Sequence, residues 1–208
     1  FRVRRVVLSY LHNDEASKHC ATLLQWDNIY YQPQSVSYVE KRPTVRVGLV
    51  QWQMRPYKDV DDLFEQVEFF VDSVSDYKSD FVLFPEYFNA PLMAKFNDMG
   101  EAQSIRGLAQ YTEQIRDRFV ELAISYNINI ITGSMPYVKE DGGLYNVGFL
   151  CRRDGSYDMY EKIHVTPDEQ KSWGLSQGNR VQTFDTDCGK IGILICYDVE
   201  FPELSRIM

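Results

Sequence analysis

From residue 45 onward, short runs of apolar, β-branched residues alternate with longer segments in which apolar residues recur at helical spacing. The runs at 45–51, 80–84 and 128–133 predict buried strands. Between them, residues 60–77 and 105–126 place their apolar side chains on one helical face. This β-α-β-α-β order predicts an α/β fold in which helices cover the outer face of a sheet.

The second half of the chain has a different pattern, in which strand-like segments come in pairs. Asp154-Gly155, a dipeptide typical of hairpins, joins the first pair, and the second pair is joined around Cys188-Gly189. Short connections of this kind link antiparallel neighbours, so a mixed sheet is expected. The predicted pairs are residues 144–153 with 157–163, and 181–185 with 190–195.

Residues 1–44 differ from the rest of the chain. A strand-like run at 2–10 is followed by polar and aromatic residues, and Arg42-Pro43 marks the join. We interpret this part as an N-terminal arm or the tail of a preceding domain, and residues 45–208 as the main domain. Because a predicted helix has only just begun where the sequence stops, we expect the C-terminal part of this domain to be missing.

Charge and cysteine content argue against several classes of function. The 208 residues carry a formal net charge of -8, which disfavours a nucleic-acid partner. No apolar run approaches the roughly 20 residues that a membrane helix needs. The four cysteines form no C-x-x-C pair, so neither a zinc site nor a dithiol redox site is indicated. Their low number is typical of a reducing compartment, and we predict a cytoplasmic protein.

Three residues at the ends of predicted strands are candidates for chemistry. Cys196 ends an apolar run just before a predicted helix, where backbone N–H groups favour a thiolate. Glu86 follows the second predicted strand among aromatic residues, and partial desolvation there would suit a general base. Lys162 ends another strand and could stabilise an oxyanion. Taken singly, each also has a structural interpretation: a buried cysteine, an acid at a helix N-terminus and an exposed lysine.

Together, the segments around these residues resemble the nitrilase superfamily of carbon–nitrogen hydrolases. They are LFPEYF at 83–88, YEKIHV at 160–165 and GILICYDVEFPE at 192–203, in the order and at the separations of that superfamily. The resemblance runs from about Val45 to the end of the chain. The stretch PTVRVGLVQWQMRPYKD behind the arm is similar to a branch fused behind an acetyltransferase-like domain, so such a domain is expected in the full-length chain.

The resemblance implies an αββα sandwich with mixed sheets and a Glu-Lys-Cys triad acting on a small amide or nitrile. Cys196 would attack the substrate carbon, and Glu86 would accept the thiol proton and deliver it to the leaving nitrogen. Lys162 and the backbone N–H of Tyr197 would stabilise the oxyanion. Water would then hydrolyse the acyl-thioester. No metal or cofactor is expected, because a soft nucleophile, a base and a cation suffice. A homo-oligomer is also implied.

Neighbours of the triad are further candidates. Members often carry a second glutamate after the lysine, and we assign Glu169 to this position, with Asp168 as a competitor. His164 could shape the substrate site; a Cys-His protease, or a metal site of His164, Asp168 and Glu169, has no specific spacing in its favour. Tyr197 is expected beside the substrate. Glu200 stands where several members carry arginine, which favours a neutral or amine-bearing amide over a carboxylate-bearing one.

Two alternatives to hydrolysis stay open at this point. An acyl-thioester could pass its acyl group to an amine or alcohol instead of water, which makes an N-acyltransferase the alternative enzyme. A non-catalytic module with the same fold could instead sense an amide. An intact triad argues against the second alternative, because a decayed site would usually have lost one member.

Overall fold

The computed structural model describes residues 44–208. Residues 1–43, which make up nearly all of the predicted arm, lie outside the described residues. The first half of the described chain is a β-α-β-α-β unit whose three strands pair in parallel in the order β1-β2-β3. One helix joins β1 to β2, and two helices separated by a short 3₁₀ turn lie between β2 and β3. The elements are β1 (Val47–Leu49), α1 (Val60–Asp76), β2 (Phe81–Leu83), α2 (Glu101–Leu108), α3 (Thr112–Ser125) and β3 (Asn129–Ile131).

Three antiparallel strands extend this sheet to six strands. The long strand β5 (Leu144–Cys151) pairs with β3 and with β4 (Met135–Val138) along successive stretches of one edge. Strand β6 (Tyr157–Glu161) pairs along the other edge of β5. The predicted hairpin at Asp154-Gly155 forms between β5 and β6, and Gly155 adopts the positive φ that such a turn requires.

A second, two-stranded sheet lies beyond the first. Strands β7 (Thr183–Thr186) and β8 (Gly189–Gly192) are antiparallel, and helix α4 (Pro167–Lys171) precedes them. A 3₁₀ turn (Cys196–Glu200) then leads into α5 (Pro202–Ile207). Any side chain on Gly192 of β8 would meet Met208 at the end of α5, so α5 ends against this sheet.

Alternating side chains of the large sheet fill two cores. Val82, Ile130 and Phe149 face helices α1 and α3, whose Phe64 and Phe119 rings meet edge to face at 5.2 Å. Their strand neighbours Phe81, Ile131 and Leu150 face the other way and pack with Phe184 and Ile195. The chain is therefore layered as helices, six-stranded sheet and two-stranded sheet. The predicted mixed α/β fold is confirmed.

The structure differs from the predicted elements in the helix at 105–126 and around Pro136, among other places. The single helix expected at 105–126 is interrupted by a 3₁₀ turn at Ala109–Tyr111, next to which Thr112 is buried and donates a hydrogen bond to the Pro136 carbonyl at 2.5 Å. Strand β4 was not predicted because it contains Pro136. Proline is tolerated there because β4 pairs with β5 alone, so the missing N–H can face away from the ladder.

Among residues 44–208, none of the helices combines the length and the apolar character that a membrane crossing requires.

Close backbone contacts beneath the Glu86 segment depend on two glycines. Gly133 has φ of 71°, and a Cβ there would lie 2.0 Å from the Pro85 carbonyl oxygen. A Cβ on Gly148 would lie 2.0 Å from the Gly133 carbonyl oxygen. The Tyr160 hydroxyl donates a hydrogen bond to that same carbonyl. These contacts hold the Pro85–Glu86 backbone directly against the end of β3.

Replacement of Gly133 tests this packing. Gly133→Ala should lower the free energy of unfolding by about 3 kcal/mol or more, because the left-handed backbone and the clash with Pro85 add together. Gly142→Ala is a matched control: its φ of 77° is similar and nothing lies within 4 Å of its Cβ, so about 1 kcal/mol is expected. Urea unfolding of both variants measures the difference. Equal losses would show that the close approach contributes nothing.

Candidate functional site

The centre of the site is a buried lysine. The Lys162 side chain, which follows β6 directly, is 1% exposed. Its Nζ donates hydrogen bonds of 2.8 Å to Glu86 Oε1 and to Glu169 Oε1. Burial acts to lower the Lys162 pKa, but the hydrogen bonds and charges of the two glutamates outweigh burial and raise it. The site therefore holds a permanent cation between two carboxylates.

Glu86 reaches this cation from the loop after β2. Its backbone forms an isolated parallel bridge with Ser134, and the next residue, Tyr87, donates its N–H to the Ser134 carbonyl at 2.7 Å. Tyr87 has φ of 52°, a left-handed conformation that costs a tyrosine about 1–2 kcal/mol. Asn146 of β5 donates from Nδ2 to Glu86 Oε1 at 2.8 Å. Glu86 is thus held from the neighbouring strands as well as by Lys162.

Glu169 is held by the start of helix α4. Thr166 caps this helix and receives the Glu169 N–H at 3.3 Å, while the Thr166 N–H donates to Glu169 Oε2 at 2.7 Å. This capping box leaves Oε1 facing Lys162 and the Tyr87 hydroxyl, which donates to it at 2.9 Å. Burial acts to raise the Glu169 pKa, but the donors from Lys162, Thr166 and Tyr87 together lower it.

Cys196 begins the 3₁₀ turn after the apolar run and has φ of 46°. A left-handed cysteine is strained, and such strain concentrates at functional positions. Cys196 is exposed by its surface area, yet desolvation by the surrounding protein and the nearby Glu86 carboxylate raise the thiol pKa, against the opposing effects of Lys162 and of the Tyr197 backbone N–H. The thiol therefore keeps its proton at rest and has a charged acceptor for that proton beside it.

Asp198 accepts hydrogen bonds from both the turn of Cys196 and the segment that follows Lys162. Its buried carboxylate accepts the N–H groups of Ile163, His164 and Ile195 at 3.3, 2.7 and 3.3 Å. The His164 ring lies 3.1 Å from the same carboxylate and stacks on Phe201 with ring centroids 3.5 Å apart. One acid therefore fixes the spacing between the candidate nucleophile and the candidate cation.

The structure thus brings Glu86, Lys162, Cys196 and Glu169 together. Tyr197 is partly exposed and contributes its backbone N–H to the Cys196 sulfur. Glu200 is exposed at the end of the same turn. The alternative metal site of His164, Asp168 and Glu169 is not formed, because no three acidic, histidine or cysteine side chains in residues 44–208 gather at metal-binding distance.

Three residues of the network were not predicted. Asn146 is a polar residue inside the otherwise apolar run 144–151, which was the available signal for a buried partner. Tyr87 and Asp198 lie in the segments around Glu86 and Cys196, and neither has a role predicted from the sequence.

Comparison with known sequences identifies the family. The sequence model of the carbon-nitrogen hydrolase family matches residues 46–208. The chain belongs to this family. It is 43% identical to "Probable hydrolase YhcX" of Bacillus subtilis (strain 168) over all of this chain and 40% of that protein. It is 32% identical to omega-amidase NIT2 of Homo sapiens over 78% of this chain and 58% of that enzyme. The chain therefore spans about half the length of these relatives.

Solved structures share the fold. A carbon-nitrogen hydrolase from Helicobacter pylori G27 superimposes with a TM-score of 0.67 at 21% identity, covering 79% of this chain and 55% of that one. Nit3 of Saccharomyces cerevisiae, a member of branch 10 of the nitrilase superfamily, gives a TM-score of 0.60 at 26% identity, covering 82% and 61%. The predicted superfamily membership is confirmed.

The lowered Glu169 pKa predicts a pH dependence of stability. A carboxylate with a lowered folded-state pKa stabilises the fold above its unfolded value of about 4.3, and this contribution is lost as pH falls through the folded value. Urea midpoints should therefore fall more steeply below about pH 4 in the parent than in Glu169→Gln. Asp168→Asn, an exposed neighbour, is the control and should follow the parent. Parallel curves for the parent and Glu169→Gln would contradict the assignment.

The raised Cys196 pKa predicts the effect of removing the Glu86 charge. In Glu86→Gln, the pH profile of Cys196 alkylation by iodoacetamide should move to lower pH, because a cause of the raised thiol pKa is lost while Lys162 remains. Peptide mapping by mass spectrometry measures the rate at Cys196 alone. Glu203→Gln, on the exposed face of α5, should leave the profile in place. An unmoved profile would refute the proximity of Glu86 to the thiol.

Proposed function

We propose that the protein hydrolyses non-peptide carbon–nitrogen bonds of small amides through an acyl-thioester on Cys196. The observation that carries this proposal is the Lys162 ammonium, buried between Glu86 and Glu169 at 2.8 Å from each. Cys196 lies near enough to this cluster for Glu86 to raise the thiol pKa and for Lys162 to oppose that rise. A nucleophile, a proton acceptor and a fixed cation are the groups that such a reaction needs.

The first half-reaction begins with proton transfer from the Cys196 thiol to Glu86. The sulfur then forms a bond to the amide carbon, and the carbonyl oxygen takes the negative charge. The Lys162 ammonium and the Tyr197 N–H stabilise that oxyanion. Glu86 returns the proton to the leaving nitrogen, the C–N bond breaks, and ammonia or an amine departs from the acyl-thioester.

In the second half-reaction water replaces the amine. Glu86 accepts a proton from water as the oxygen attacks the thioester carbon, and Lys162 again faces the oxyanion. The C–S bond breaks and the sulfur takes back the proton from Glu86, which frees the carboxylic acid. Glu169 serves as a positioning residue, because its contacts are with Lys162, Tyr87 and the start of α4.

The charges of the described residues favour a particular class of amide. Two carboxylates and one ammonium give the site an excess of negative charge, and Glu200 adds another acid on the same turn as Cys196. We therefore propose a neutral or amine-bearing amide as substrate. The relative named omega-amidase supports an amide rather than a nitrile. A cytoplasmic location, a homo-oligomer and an acetyltransferase-like domain in the full-length protein remain proposals from the family resemblance.

A covalent adduct tests the proposed reaction. After brief incubation of the full-length protein with a set of small amides, intact-mass and peptide spectra should show an acyl group on Cys196. Cys196→Ala should give no adduct and lose at least about a thousandfold in turnover. Cys188→Ala is the matched control: Cys188 is half-buried with a pKa raised to about 12 by burial and by nearby Asp187, so its loss should leave turnover unchanged.

The products of the same incubation separate the alternatives. Release of the free acid supports hydrolysis, whereas an acylated amine as the main product in the presence of an added amine would favour acyl transfer. Equal labelling of Cys188 and Cys196 and no turnover would favour a non-catalytic amide-binding module.

A further inference from the structure

Asn146 of β5 contacts both Glu86 and Lys162. The residue is 1% exposed. Its side-chain Nδ2 donates to Glu86 Oε1 at 2.8 Å, and its backbone carbonyl accepts the Lys162 N–H at 2.9 Å. One residue of a central strand thus holds the proposed base by its side chain and the proposed cation by its main chain.

The two donors to Glu86 converge on a single oxygen. Lys162 Nζ and Asn146 Nδ2 both lie 2.8 Å from Oε1; Asn146 lies in β5, and Lys162 is the residue after β6. Two donors on one oxygen restrict the rotamers that the Glu86 carboxylate can adopt. Its other oxygen is then directed away from both donors and is available for a proton.

We propose that Asn146 is a positioning residue that orients Glu86 for proton transfer with Cys196. The inference rests on the proposed function, in which Glu86 is the base. Asn146 acts through Glu86 and has no contact with the reacting atoms.

Of the two polar atoms of the Asn146 side-chain amide, only Nδ2 forms a hydrogen bond among residues 44–208, and this supports the role. Its Oδ1 is buried and has no hydrogen-bond partner among residues 44–208. A purely structural asparagine would be expected to satisfy both ends of its amide, because an unsatisfied buried acceptor is destabilising. The retained contact is the donor to Glu86, so donation is the property that the site uses.

Two replacements separate donation from packing. Asn146→Ala removes the donor and leaves a small cavity, whereas Asn146→Asp keeps the shape and loses the donor while the new carboxyl is ionised. In the full-length protein, both should lower kcat about 10- to 100-fold with KM within about threefold, since a hydrogen bond to a charged group is lost. Rates are expressed per folded molecule, from urea unfolding curves.

The pH dependence of kcat in Asn146→Asp separates the two roles, because a change in packing alone would not alter it. As pH falls from about 8 to about 5, the kcat of Asn146→Asp relative to the parent should rise, because the protonated carboxyl regains an O–H donor. Asn129→Ala is the control: Asn129 is also fully buried, at the far end of β3, and donates to Asp80 and Asp187. It should lose stability and keep the parent's kcat and pH profile.

Several results would overturn the proposal. These are a kcat within about threefold of the parent in Asn146→Ala, full activity of Asn146→Asp at about pH 7, or a ratio of rates that does not change with pH. If the parent protein hydrolyses no amide, the proposed function fails. The rate at which iodoacetamide alkylates Cys196 then still tests whether Asn146 orients Glu86. The Cys196 alkylation profile of Asn146→Ala should then shift in the same direction as that of Glu86→Gln, and an unmoved profile would refute the positioning role.

Discussion

The burial of the Lys162 ammonium is the constraint on which the rest of the site depends. An isolated charge in a protein interior is strongly unfavourable, so a lysine that is 1% exposed must be paired and hydrogen-bonded. Glu86 and Glu169 provide this pairing, and they come from two separate segments of the chain. The loop after β2 and the start of α4 must therefore both approach the residue that follows β6. Removing either glutamate would leave the buried ammonium with one carboxylate acceptor instead of two.

The backbone is shaped to bring these groups together. Gly133 allows Pro85 to lie against the end of β3, and the Tyr160 hydroxyl donates to the Gly133 carbonyl below it. Tyr87 and Cys196 adopt left-handed conformations on the two segments that meet at the site. Their strain, about 1–2 kcal/mol each, is offset by contacts that only this arrangement allows. Among these are the bonds that Asp198 accepts from Ile195, just before Cys196, and from Ile163 and His164, just after Lys162.

The sequence predicted those parts of the fold in which local preference and tertiary packing agree. Strands β1, β2, β3 and β5 are mostly apolar, and β6 combines tyrosine and methionine with acidic residues. All five form close to where the pattern placed them. The strand expected at 190–195 stops at Gly192, because the Ile195 N–H turns to Asp198 and leaves the ladder. Strand β4 was not predicted, because proline is unusual inside a strand. Glu86, Lys162 and Cys196 were predictable because each follows a predicted strand, whereas Asn146 lies within a strand, where its only signal is that it is polar in an apolar run.

The two glutamates illustrate how equal side chains acquire different roles. Glu169 uses both oxygens: Oε2 accepts the Thr166 N–H, and Oε1 accepts Lys162 and the Tyr87 hydroxyl. It is therefore a fully engaged carboxylate with a lowered pKa, suited to stay charged and hold the lysine. Within residues 44–208, the nitrogen donors of Glu86 meet Oε1, which leaves a carboxyl oxygen for the thiol proton. Since a proton shuttle needs an unoccupied oxygen, the hydrogen-bond pattern itself distinguishes the proposed base from the proposed positioning residue.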